Sequence, residues 1–235
     1  MRRLGWLTLG VSVLGTATAP RLTAQRVEIA ARIGYAAPAG LQFQASSTTI
    51  GSSTEVRSWN GGGLSVGATG SYWLNARFGI QGTADLRFTR HHATFAYSCT
   101  TLCIPINLPP GPVDASATRL IASLRFSARQ RVGDRLQLGA GVGPALIRFG
   151  DSEYRPLITP GLGYQVVYSL ANRTTYGVAV GLSAAYVVAP RFRLSVSADE
   201  VFYRVWPAEA SSWGEVVAPI QHEFTLSAAA VVGVR

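Results

Sequence analysis

The sequence contains no lysine; all 21 basic residues are Arg. Charged residues of every kind amount to only 14%, about half the usual share of a soluble domain. A soluble all-β protein would need more charge than this to coat its outer face. No apolar run approaches the roughly 20 residues that a helix needs to cross a bilayer, which argues against a helical membrane protein. Sulfur and imidazole ligands are scarce as well: the cysteines are Cys99 and Cys103, and the histidines are His91, His92 and His222. The Gly139-Ala-Gly-Val-Gly143 run is followed by Pro144 and alternating apolar residues. A phosphate-cradling loop would instead have to open a helix.

What is present is alternation. Over 63–90, Leu64, Val66, Ala68, Gly70, Tyr72 and Leu74 alternate with Ser65, Gly67, Thr69, Ser71 and Trp73. After a polar break, Phe78, Ile80, Gly82, Ala84, Leu86 and Phe88 alternate with Gly79, Gln81, Thr83, Asp85, Arg87 and Thr89. Side chains on a strand point to opposite faces with period two, so this stretch is a hairpin with one apolar and one polar face. The same pattern predicts strands at 26–36, 117–129, 135–148, 175–188, 191–204 and 221–234. Pro38 is expected to end the first of them, and Pro144 implies a bulge or a rim position in the fifth. Residues 37–62 and 91–115 read as long loops, and 163–170 could add a short further strand.

The connections sort by length. Strands two and three, four and five, and six and seven are joined by about two to five residues, the hairpin range. The other four connections, one to two, three to four, five to six and seven to eight, are far longer, at about fifteen to twenty-six residues. Short turns at one end and long loops at the other mark a transmembrane barrel with both termini on the turn side. Strands of about eleven residues, tilted, span roughly the hydrocarbon thickness, and backbone groups in lipid must all find partners, so the sheet must close. The expected fold is therefore all-β, an eight-stranded antiparallel up-and-down transmembrane β-barrel.

The first 24 residues have a basic start, an apolar run too short to span, and small residues ending in Ala24. That is the layout of a secretory signal peptide, with residues 25–235 as the barrel domain; an N-terminal anchor is the alternative. Arg2, Arg3 and Arg21 would leave with it, so 18 of the 21 Arg stay against 12 acids, a net charge of +6. Export argues against nucleic acid as the basic chain's partner. Anionic lipid phosphates suit the Arg fork better, although a codon bias accounts equally well for the absence of Lys.

The polar face interleaves Glu28, Arg32, Asp85, Arg87, Arg119, Arg125 and Arg193 with glycines. Small residues beside long charged ones suit a filled interior; the converse, a lipocalin-like soluble barrel, would turn the apolar face inward. On the first reading Glu28 and Asp85 pair with some of Arg32, Arg87, Arg119 and Arg125 and plug the lumen. With its export signal, eight amphipathic strands and loop asymmetry, the chain resembles the small outer-membrane barrels of the outer membrane protein A/X type. The resemblance implies a monomer in the bacterial outer membrane, with both termini periplasmic, surrounded by outer-membrane lipid and lipopolysaccharide and inserted by the barrel-assembly machinery. Members of that family finish on an aromatic residue, whereas this chain ends Val-Val-Gly-Val-Arg.

Cys99 and Cys103, in an exported loop, are expected to form a disulfide; a metal site with His91 and His92 has spacing unlike the usual zinc patterns. Arg57, Arg90, Arg148, Arg155, Arg173 and Arg204 lie in or beside the long loops and are candidates for lipopolysaccharide phosphate contact. Barrels of this kind include lipid A-modifying enzymes and proteases, but no histidine here stands near a serine in a hydrolase arrangement. Asp199 and Glu200, being adjacent, face opposite ways. The expectation is no enzyme, no cofactor, no nucleic acid, and a structural or surface-interaction role. A lipid A-modifying enzyme or a soluble periplasmic ligand-binding barrel are the alternatives.

Overall fold

The computed structural model describes residues 27–39, 41–49, 52–99, 113–150, 172–205 and 220–234. They form nine strands: β1 (Val27–Ala39), β2 (Leu41–Thr49), β3 (Ser52–Trp73), β4 (Phe78–Cys99), β5 (Val113–Val132), β6 (Leu136–Phe149), β7 (Thr174–Ala189), β8 (Phe192–Arg204) and β9 (Ile220–Val234). Each of β3 to β8 pairs antiparallel with its successor. β1 closes the ring by pairing with β9 on one side and β3 on the other. Eight strands thus make a closed antiparallel barrel, and β2 is an extra strand paired to β3.

The turns at one end are short for local reasons. Between β3 and β4 the Asn75 side chain accepts from the backbone N–H of Arg77 and Phe78, both at 2.8 Å, an Asx turn that reverses the chain. Gly133 takes a positive φ of 66° in the β5–β6 turn, which only glycine adopts without penalty. Pro190 and Arg191 connect β7 to β8.

In the two loops expected at 37–62 and 91–115, residues 37–39, 41–49 and 52–62 of the first and 91–99 and 113–115 of the second are strand. β3 and β4 each run 22 residues, roughly 55 Å along the normal at ordinary rise and tilt, against about 30 Å of hydrocarbon. Their far ends therefore stand clear of any bilayer, with β2 paired alongside. The run rich in Ser, Thr, Gly and Asn over 37–62 hid this from pattern reading, because it holds no sustained apolar period. β1 also runs through Pro38 to Ala39. Its pairing with β3 ends at Ala36, so one side of the chain is an edge there, where proline is tolerated.

Pro144 marks neither a bulge nor a rim. The β5–β6 register is the same on both sides of it, Ser123 opposite Ala145 and Phe126 opposite Val142, with the ladder open only across Gly143 and Pro144. Gly143 is needed at this gap: a Cβ would fall on the Leu124 carbonyl and crowd the Arg125 backbone. Gly143→Leu is expected to destabilise the barrel by about 1–3 kcal/mol. Gly70→Ala, where a Cβ meets nothing within 4 Å, should leave the urea midpoint of the folded band on an unboiled gel unchanged.

The segment at 163–170 and the expected signal peptide lie outside the described residues. Pairing around the ring sends one face of every strand outward, and that face is apolar. Leu182 is 66% exposed, and Leu124, Phe126, Val196 and Leu226 are likewise exposed. The buried set is the reverse of a soluble core, dominated by Arg, Glu, Asp, Ser and Thr.

Candidate functional site

The interior is a column of charges stacked in three levels. At the turn end, Glu28 of β1 bridges Arg129 of β5 at 2.6 Å and Arg193 of β8 at 2.5 Å. Arg193 also donates to Gln137. Trp73 of β3, 7% exposed, lies beneath the Arg129 guanidinium, 3.7 Å from its ring centroid, a cation–π contact.

At mid-height Asp199 of β8 takes Arg32 and Arg125 together in two close ion pairs. Asp85 lies 3.7 Å from Arg32. Arg32 donates to Ser227 at 2.9 Å and Arg125 to Ser123 at 3.0 Å. Gly67 and Gly181 supply the space: a Cβ at Gly67 would meet the Asp85 carboxylate, and one at Gly181 the Arg125–Asp199 pair.

At the loop end Glu223 of β9 receives Arg87 and Arg119, each at 3.0 Å, and Tyr203 donates toward the same carboxylate. Above and beside this level Ile121, Ile147, Phe149, Val201 and Val205 form a small apolar cluster inside the barrel, with Arg119 facing the Phe149 ring. Ions removed from water are tolerable only when paired and hydrogen-bonded; the shared carboxylates supply the pairing, while Arg32 Nε and Arg87 Nε have no hydrogen-bond partner among the described residues.

All six interior charges singled out from sequence, Glu28, Arg32, Asp85, Arg87, Arg119 and Arg125, are buried. Their pairing differs in one respect. Glu28 reaches none of the four Arg expected for it and holds Arg129 and Arg193, because it stands one residue inside the start of β1, a full level below Arg32. Asp199 and Glu223, the carboxylates that bind most of the column, went unrecognised, as did Arg129. Strand parity could have found them: Glu223 shares a face with Gln221, Thr225 and Ser227, and Arg129 with Arg125 and Ser127.

Glu200 does face away from Asp199. It is on the outer wall and meets His222 Nδ1 at 2.9 Å, with His222 stacked on Phe202. Of the candidate phosphate-contacting residues, Arg57, Arg90, Arg148, Arg173 and Arg204 are exposed at the loop end; Arg155 lies outside the described residues. Cys99 is the last residue of β4, whereas Cys103 lies outside the described residues, and with it the expected disulfide.

A closed eight-stranded barrel with an apolar exterior and a charged interior is a transmembrane β-barrel of the outer-membrane type. The chain is similar to the outer membrane protein OprG of Pseudomonas aeruginosa, with 12% identity over 88% of this chain and 94% of that one, at a TM-score of 0.48. It is similar also to Neisserial surface protein A, with 16% identity, 88% and 97% coverage and a TM-score of 0.42. A third similarity is to the outer membrane protease OmpT of Escherichia coli, with 9% identity, 91% and 98% coverage and a TM-score of 0.43. No family model and no curated protein sequence matches.

Proposed function

We propose that this protein is a non-catalytic barrel of the bacterial outer membrane. Both termini and the short turns would lie in the periplasm, and its role would be structural or surface-interactive: membrane integrity, adhesion or recognition. The observation that carries this reading is the contrast between a barrel packed with ion pairs and the 22-residue strands β3 and β4 that rise beyond the membrane with β2. The lumen holds a cavity whose lining reaches up to Arg32, Arg125 and Asp199 and includes none of Arg87, Arg119 and Glu223. Eight strands leave room for side chains and little else.

Lipopolysaccharide phosphates are the proposed contacts of the exposed loop-end set. Arg90, Arg148 and Arg204 continue the outward register of β4, β6 and β8 just past the apolar band, where a bidentate Arg meets a phosphate well. The triple change of these residues to Gln is expected to reduce lipopolysaccharide retained on the purified barrel severalfold, measured by phosphate content after detergent washing.

The role itself is tested with the purified barrel in planar bilayers and in reconstituted outer-membrane lipid. The expected results are no steady conductance and unchanged lipid A by mass spectrometry. Discrete channel steps would replace the reading with a pore, and altered lipid A would replace it with an enzyme.

A further inference from the structure

The turn-side half of the interior is a cationic vestibule. A cavity of about 100 Å³ lies there, bounded by Glu28, Arg32, Arg125, Arg129, Arg193 and Trp73 among others. That is room for several waters or one small ion. Its charges do not balance: Arg32, Arg125, Arg129 and Arg193 face Glu28, Asp85 and Asp199, leaving one guanidinium in surplus. The mouth does not correct this. Arg77, Arg131, Arg135 and Arg191 stand exposed on the surrounding turns with Asp134 as the acid among them. A narrow, cation-lined cleft between low-dielectric walls focuses its field and concentrates anions.

Unused donors point the same way. Trp73 Nε1 and Arg32 Nε are buried and have no hydrogen-bond partner among the described residues, and both residues border the cavity. Buried donors are ordinarily satisfied. Glu28 holds two guanidiniums side by side, so its carboxylate occupies a place that another anion could share or contest.

We propose that the turn-side vestibule binds a small inorganic anion of halide size, held by Arg129 and Arg193 at the mouth and by Arg32 and Trp73 Nε1 at its walls. This adds a ligand site to a barrel with a closed lumen and does not depend on what the surface strands recognise.

The full chain in detergent, with bromide and iodide as probes, tests it. Crystals soaked in sodium bromide should show an anomalous peak inside the vestibule within hydrogen-bonding reach of these donors. In solution, iodide should quench part of the tryptophan emission saturably, and Trp73→Phe should remove that part. Arg193→Gln should weaken the saturable component and Glu28→Gln should tighten it about tenfold. A tighter site is a gain that a merely structural role would not give. The heat-modifiable gel shift reports that each variant is folded, and the wild-type crystal stands without any variant. Bromide confined to the outer surface, or quenching that stays linear and equal in wild type, Trp73→Phe and Glu28→Gln, overturns the proposal.

Discussion

Replacing Asp199 with Ala is expected to destabilise the barrel by about 3–5 kcal/mol, the cost of stripping a partner from buried ions. Two guanidiniums lose their carboxylate at once. Arg32 keeps Asp85 at 3.7 Å and its bonds to Ser197 and Ser227, whereas Arg125 keeps the Ser123 hydroxyl. The asymmetry makes a second result predictable. Adding Arg125→Met to Asp199→Ala should recover a good part of the loss, since an apolar side chain of similar length needs no counter-ion. Two variants whose costs simply add would show that the pair is not coupled. Urea titration in detergent, read by the fraction of heat-modifiable band, measures all three.

The second large effect lies on the opposite face. Leu182, near the centre of β7 and 66% exposed, should cost about 2–4 kcal/mol when replaced by Arg, the penalty for a cation on a lipid-facing strand at the midplane. Val188, on the same face one residue from the end of β7, should cost about 0–1 kcal/mol for the same change, because its charge can reach the interface. In a soluble barrel both substitutions would be nearly silent. The comparison is therefore a measure of depth, made by refolding into lipid vesicles under urea.

Much of this was legible in the residues. Period-two alternation located all eight wall strands and the faces of β3 to β9, because each spanning strand must present lipid on one side and neighbours on the other. The short turns were legible from the few residues left between neighbouring alternating runs. Strand extent was not: in the upper part of β3 the sequence is rich in Ser, Thr, Asn and Gly, and the hydrophobic alternation that marks a strand is missing. Pro38 and Pro144 misled for a related reason. A proline disrupts a ladder only where a neighbour needs its donor, and which sides of a strand are paired is a property of the closed ring. The charge column was half legible. Parity assigns a residue to the interior, but pairing depends on height around a tilted barrel, so Glu28 meets Arg129 from 101 positions away while Arg32, four residues along, lies in another level. Glu223 and Asp199 became central only when closure of the ring brought two Arg to each inside the lumen.

The alternation of lipid and interior along one wall strand is the most direct test of the whole account. Nitroxide labels placed singly along β7 in reconstituted vesicles would be probed with oxygen, which partitions into lipid, and with a nickel chelate, which stays in water. Labels at Val178, Val180, Leu182 and Ala184 should be relaxed by oxygen and shielded from nickel, while labels at Ala179 and Ala185 should be poorly reached by oxygen. Outward positions relaxed by the nickel chelate as strongly as by oxygen would place that apolar face in water and contradict a membrane-spanning barrel.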